Sequence, residues 1–550
     1  VWIVTSTSAY KIRVAFSLLS LLLATAFVPW IVTTPHAAMG EEIYLDNGVV
    51  RIGVRLDLGG SITYMSTSNS GHNIINNYDW GRQIQQSYYS GPTDYLPDGA
   101  QQSPYWNPWP WNPIQTGDCF ENRATVLESS NDGSEIYVKS VPMQWALNNV
   151  PGEATFETWV RLEGQVAHVR SRLVNARTDT TQQFPARHQE LPAVYTVGTL
   201  HRLFTYKGTR PFTSAAVTEL PYAPPPAWQA WRATENWAAN LNDDGWGLGV
   251  YHPGSARFKG GFHGTPNTGM YWEDSTGYIS PLHQEVLDHN ITYEYEYDLI
   301  LGTLAEIRQW VYDHKPDTRP DYRFKSDRQH WYSNKGDAGW PIASNYRVKL
   351  DGIDPMMFGP ACAWRAEDVP KLYISAAFNL VNPAASSKTA QLFWEVDNQG
   401  GFSEQQSIRF DIIPDGQFHT YEIDLTSSQF YQGLISQLRF DPIAQGQTGD
   451  YVDISFISHC ENKIAGDANR DGRVDDTDAA ILATNWQTLT AATWAMGDFN
   501  GDERVDDADA TLLAANWQSG VSATASAPEP STLAGLLALC LAGLSTLARR

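Results

Sequence analysis

Val166-Ala167-His168-Val169-Arg170-Ser171-Arg172-Leu173-Val174 decides the fold class of this chain. Apolar and polar residues alternate along it, which is the period of a strand with one buried and one wet face. The pattern recurs outward in both directions, over residues 49–56, 246–251 and 293–300, with turn-forming residues between. Helical periodicity is thin, and residues 304–312 are its best short carrier. Strands without an intervening helix rhythm predict a large all-β sandwich rather than a barrel of parallel strands. Strict alternation resumes over residues 415–425 and returns at 438–442 and 450–457. A second, smaller β module is therefore expected, with 42–325 as the first domain and the seat of any catalysis, and 326–460 as the second.

After the second module the chemistry changes. Asp467, Asn469, Asp471, Gly472, Asp475 and Asp478 are followed by Asp498, Asn500, Asp502, Asp506 and Asp509. Oxygen-bearing side chains stand at loop positions one, three, five, nine and twelve of each copy. Arg473 and Arg504 hold position seven, which contributes a main-chain carbonyl in such loops. This is the donor set a short loop uses to wrap a hard divalent cation. A helix-like stretch follows each loop, over 479–486 and 510–517, and both end in Asn-Trp. The offset from Asp467 to Asp498 equals that from Asn485 to Asn516, so the segment is an internal duplication.

This pair resembles a type I dockerin over 464–519, a small α-helical Ca²⁺-binding adaptor found mainly on secreted polysaccharide-degrading enzymes. The resemblance implies two Ca²⁺ sites and a cohesin-like protein partner. Loop two departs from the pattern, with Glu503 where the sharp turn prefers Gly. A residue with a Cβ resists positive φ, so the second site is expected to be the weaker. Loop positions ten and eleven, often read by partners, are Asp476-Thr477 and Asp507-Ala508.

The opening phrase Leu45-Asp46-Asn47-Gly48, then Leu58-Gly59-Gly60-Ser61-Ile62 and Asn73-Ile74-Ile75-Asn76, resembles the start of a galactose-mutarotase-like supersandwich. That superfamily holds epimerases, lyase modules and glycosidase modules, and fold analogy supplies no reaction. The second module's last strands resemble those of jelly-roll carbohydrate-binding modules, which would make Trp364 and Trp394 sugar platforms or core residues.

Lys11 and Arg13 precede an apolar run over 14–28 and small residues at Ala37 and Ala38, the layout of a secretory signal peptide over 1–38. A retained membrane anchor is the alternative. At the other end, Pro528-Glu529-Pro530, an apolar stretch and Arg549-Arg550 resemble a PEP-CTERM sorting signal over 526–550. It implies a membrane sorting enzyme as a processing partner. The apolar run is short of the roughly 20 residues a comfortable transmembrane helix needs. Both ends point to export, and the pairing of dockerin with PEP-CTERM to the surface or outer envelope of a Gram-negative bacterium.

The formal charge of −23 argues against nucleic acid and anionic membrane as partners. It also disfavours polyanionic substrates unless a local basic cleft overrides it. The 21 Trp and 26 Tyr suit sugars, whose C–H faces stack on such rings, but a large β core uses the same residues. Of four cysteines, Cys119, Cys362 and Cys460 precede the sorting signal. A bridge between Cys362 and Cys460 and buried free thiols are both open.

Three segments concentrate polar chemistry. Residues 76–89 offer Asp79 and Arg82 as a pair, with Gln86 and Tyr88 as hydroxyl ligands. Arg187-His188-Gln189-Glu190 runs into an apolar strand, a setting that raises a carboxyl pKa toward that of a general acid. Glu235, within Thr234-Glu235-Asn236-Trp237, is a candidate partner carboxylate. The loop Tyr105-Trp106-Asn107-Pro108-Trp109-Pro110-Trp111-Asn112-Pro113 is stiffened by proline, with Trp109 and Trp111 as a wall for a sugar chain. The leading reading is a secreted glycoside hydrolase acting on polysaccharide. Glu190 would be the acid and Glu235 or Asp79 its partner, with Arg82, Gln86 and His188 positioning sugar. The alternatives are a polysaccharide lyase, drawing on Tyr88, His188 and Arg82, and a non-catalytic glycan-binding surface protein.

Overall fold

A computed structural model describes residues 41–178, 182–222, 228–288, 291–383, 388–397, 400–461, 464–469 and 473–517. The signal-peptide and sorting-signal stretches lie outside these residues, as do Asp471 and Gly472 of the first acidic loop. Among the described residues no helix is long and apolar enough to cross a membrane. The chain divides into two compact units between Asp317 and Thr318.

The first unit is two antiparallel sheets with a common core. Among the described residues one sheet has ten strands. Its path runs Glu42–Asp46, Val50–Arg55, Ser61–Thr67, Ile84–Ser87, Arg187–Val197, Thr276–Glu285, Arg257–His263 and Trp228–Arg232. The other has nine strands, with Thr292–Thr303 paired to Val166–Asn175 at its centre. The residues quoted first above thus lie mid-sheet. Val169 and Leu173 point inward to the core, while Arg170 and Arg172 lie over the Trp159 ring on the other face. The helix Leu304–Asp313 starts at a capping box, in which Thr303 and Glu306 satisfy each other's backbone N–H groups.

Glu235 sits beneath that helix, fully buried. The Arg308 guanidinium grips it through two bonds, at 2.9 and 3.1 Å, and Trp237 Nε1, Tyr312 Oη and the Phe212 N–H donate to it as well. A fully buried carboxylate held by five donors is a structural ion pair. It anchors helix to sheet, and this corrects its reading as a catalytic partner.

The second unit begins ahead of residue 326. Asp321–Arg323 already pairs with Tyr451–Ser458, in a five-stranded sheet that packs on a six-stranded one. Trp364 and Trp394 are buried in its core, 2% and 0% exposed, so neither is a sugar platform. Among the described residues Cys119, Cys362 and Cys460 form no disulfide.

The acidic repeats form two short helices, Asp476–Thr484 and Asp507–Ala515, around a small core that includes Val474, Leu482, Phe499, Val505 and Leu513. Both helices begin earlier than the apolar pattern indicates. Asp475 and Asp506 cap them through Thr477 N–H and Ala508 N–H, each closing a capping box.

Candidate functional site

The site lies on the ten-stranded sheet, on the face turned away from the inter-sheet core. Its floor is set by register. Trp228 pairs with Gly261, Gly261 with Tyr278, and Tyr278 with Tyr195. Residues directly opposite in neighbouring strands share a face, and Gly261 puts no side chain between its neighbours. The rings of Trp228 and Tyr278 therefore meet at 4.9 Å, and those of Tyr278 and Tyr195 at 4.7 Å.

One irregularity brings an acid onto this floor. In strand Arg187–Val197 the register shifts between Glu190 and Val194, so that strand carries one residue more than its partner over this stretch. Such a bulge reverses the alternation on one side of it. Glu190 and Tyr195, an odd number of residues apart, consequently face the same way. Glu190 Oε1 accepts from Tyr278 Oη at 2.5 Å, and Oε2 from Tyr89 Oη at 3.2 Å. Burial first, and the charge of Glu190 second, push both phenols well above their ordinary pKa. They remain donors, and Glu190 accepts both bonds. Tyr89 is itself fixed by a reciprocal clamp, its N–H donating to Gln189 Oε1 at 2.7 Å and its carbonyl accepting from Gln189 Nε2 at 2.8 Å.

Aromatic side chains continue beyond Tyr89. Its ring meets Trp109 edge-on at 6.3 Å, Trp109 meets Trp106 at 4.9 Å, and Trp106 meets Trp145 at 5.8 Å. Trp109 is tied to its loop by Nε1 donating to Asn112 Oδ1. This half-buried row extends the floor on the side away from Trp228.

Asp79 and Arg82 do pair, at 3.3 Å, and Asp274 completes the cluster at 2.5 Å from Arg82. His263 reaches the other oxygen of Asp274 at 3.2 Å. Burial opposes ionisation of Asp274, but the Arg82 guanidinium outweighs it and holds the carboxyl below its usual range. Tyr195 senses both carboxylates. Its phenol is pushed up by burial, then by Glu190, then by Asp79.

His188 shares the face of Glu190, two residues along the strand, and its side chain is exposed. Its imidazole is nevertheless pushed down to about 4, by loss of hydration first and by the charges of Arg257 and Lys259 second.

The structure thus brings together Glu190, His188, Asp79, Arg82 and Trp109, and separates the other candidates from them. Gln86 and Tyr88 lie between the sheets, 1% and 0% exposed. Tyr88 Oη donates to Gln86 Oε1, and Gln86 Nε2 donates to Glu157 O and Thr158 Oγ1. Both are core residues, which also removes Tyr88 as a base. Trp111 is 0% exposed and belongs to the same core. Tyr278, Tyr195, Trp228, Lys259 and Asp274 were not singled out by the sequence, although Tyr278 sits in the alternating run Thr276-Gly277-Tyr278-Ile279-Ser280.

The acidic loops form a second candidate site. Asp467, Asp478 and Asp509 are fully buried, and Asp498 is 4% exposed. In loop two, Asp498 accepts from Gly501 N–H at 2.7 Å and Glu503 N–H at 2.9 Å. Asp509 accepts from Phe499 N–H at 2.7 Å and Asp506 N–H at 2.9 Å. Loop one repeats the second pattern, with Asp478 accepting from Ala468 N–H at 2.8 Å and Asp475 N–H at 2.9 Å. Buried carboxylates held in one loop suit a hard cation with oxygen preference. Glu503 adopts φ +64°, the left-handed conformation that favours glycine.

Residues 465–517 match the dockerin type I domain model, and type I dockerin domains bind calcium. No curated protein matches the chain in sequence. Among solved structures, the chain is similar to a galactose mutarotase related enzyme from Lactobacillus acidophilus, at 9% identity and a TM-score of 0.31, over 48% of this chain and 97% of that one. A galactose mutarotase-like protein from Lactobacillus casei matches at 10% identity and a TM-score of 0.32, over 48% and 100%. An alpha-galactosidase from Geobacillus stearothermophilus matches at 11% identity and a TM-score of 0.30, over 52% and 44%.

Proposed function

We propose that this chain is an exported polysaccharide-degrading enzyme, whose first unit cleaves an O-glycosyl bond and whose dockerin segment docks it to a cohesin-like partner. The observation that carries this reading is the position of Glu190, held by two phenol donors in the middle of a continuous aromatic floor. Rings on both sides of an acid suit successive sugar units, whose apolar faces stack while their hydroxyls meet polar groups. Tyr278 and Tyr89 both donate to Glu190, which supports reading it as base or nucleophile rather than acid. Asp79, at the edge of the same floor, is the carboxylate available to partner it. Arg82, fixed by Asp79 and Asp274, and His188 line the sugar path.

In the dockerin segment the donor chemistry fits Ca²⁺. Asp467, Asn469, Asp475 and Asp478 would hold one ion and Asp498, Asn500, Asp502, Asp506 and Asp509 the other, with main-chain carbonyls of Arg473 and Arg504. Bound calcium supplies folding free energy to so small a domain. The second β module is read as carbohydrate-binding, and the two termini as export and sorting signals placing the protein at the envelope of a Gram-negative bacterium.

The test is Glu190→Gln, which keeps the side chain's shape and removes its charge. Reducing-sugar release from polysaccharide should fall by about 10²–10⁴-fold, the usual worth of a proton-transfer group, at an unchanged melting temperature. Undiminished release removes Glu190 from the mechanism, and glycan binding without any release by the parent protein leaves a binding module.

A further inference from the structure

The floor around Glu190 carries a cation that the hydrolytic reading does not use. Lys259 pairs in register with Ser280, one strand from the row that bears Glu190 and His188, and on the same face as Tyr278. It is half-buried, and among the described residues it makes no ion pair. Contrast Arg82, whose charge is absorbed by Asp79 and Asp274. The charge of Lys259 is one of those that push the His188 imidazole down, after burial and Arg257.

A half-buried, uncompensated ammonium gives up hydration without an ion-pair gain. It is the kind of group that a ligand anion completes. In a chain of net charge −23 such a spot is local, because the surrounding surface repels anions. Trp228 and Tyr278 lie on either side of Gly261, the next but one residue after Lys259, so an aromatic plate stands beside the charge.

Resting on the proposed glycan-cleaving role of this face, we propose that its substrate is an acidic glycan, with a carboxylate- or sulfate-bearing ring stacked at Trp228 and Tyr278 and its anionic group on Lys259. The charge decides which polysaccharide is taken, and the aromatic floor holds it whatever its linkage.

Binding is read without turnover, using Glu190→Gln in the full chain with calcium, by calorimetry against polygalacturonate, dextran sulfate and neutral dextran. Polygalacturonate or dextran sulfate should bind at least about tenfold more tightly than dextran, with an affinity that falls as salt rises. The stronger of the two identifies carboxylate or sulfate. Lys259→Met, which keeps the apolar stem, should remove that preference, and Lys259→Arg should retain most of it. Equal binding of neutral and acidic polymers, or an unchanged preference in a folded Lys259→Met, overturns the proposal. Because the readout is affinity, loss of the hydrolytic assignment of Glu190 leaves this result standing, and the reverse also holds.

Discussion

Tyr278 Oη lies 2.5 Å from Glu190 Oε1, joining the aromatic floor to the acid it surrounds. The contact exists because Tyr278 leans along its strand from the row of Tyr195 toward the row of Glu190, which pairs with Leu282. A phenol that stays protonated fixes one oxygen of the carboxylate.

Tyr278→Phe removes that donor and keeps the ring. kcat should fall by roughly tenfold or more, since a charge-assisted hydrogen bond is worth about 1.5–3 kcal/mol. KM should change little, because stacking against Trp228 is retained. Michaelis kinetics on a soluble glycan separate the two.

Glu235 and Arg308 form a buried pair, and removing one partner strands the other. Arg308→Met and Glu235→Gln should each destabilise the first unit by about 3–5 kcal/mol, seen as a shift of its denaturant midpoint. At temperatures where the variants remain folded, glycan cleavage should persist, which separates this carboxylate from the chemistry.

Burial first, then the charges of Arg257 and Lys259, push the His188 imidazole down from 6.5 to about 4. As pH falls below 6.5 the unfolded chain takes up the proton first, so the cost to stability grows between pH 6.5 and 4, persists below 4, and is absent above 6.5. His188→Asn should therefore flatten the acid limb of the stability profile. Ring proton shifts followed by NMR should show no His188 titration between pH 5 and 8.

Chelation of calcium should unfold 465–517 while both β units stay folded, giving two separate melting steps instead of one disturbed transition. Trp494 Nε1 donates to Asp467 O at 2.6 Å, so tryptophan fluorescence reports on loop one. Asp467→Ala should weaken calcium binding more than Asp498→Ala. Glu503→Gly should relieve the left-handed φ by about 1 kcal/mol, and calcium titration of the variant should show a tightened second site.

The strand character of residues 166–174, 246–251 and 293–300 was legible because alternation is local, and so was the duplicated acidic loop, whose donors lie within twelve positions of one another. What alternation does not reveal is which two strands become neighbours. Tyr195, Tyr278 and Trp228 form one plate only after three distant strands pair, and no single stretch announces this. Glu235 misled for a related reason. A lone glutamate before a strand looks the same whether its partner, Arg308 on a later helix, exists or not. Gln86 and Tyr88 misled through parity: a polar cluster was visible, but which of its members face the core depends on where the sheet's second layer sits. Trp364 and Trp394 followed the bland expectation of large rings filling a sandwich.

The extra residue between Glu190 and Val194 makes the chemistry of this face depend on a single codon. Deleting one of Leu191, Pro192 or Ala193 would restore uniform pleating. Gln189, now the clamp on Tyr89, would turn outward, while Glu190 would swing into the oily layer where a carboxylate has no counter-ion. An otherwise intact sandwich would then keep its rings, Lys259 and the Arg82–Asp79–Asp274 cluster on that face without the carboxylate at their centre, and on the proposed reading it would grip a sugar chain and not cut it.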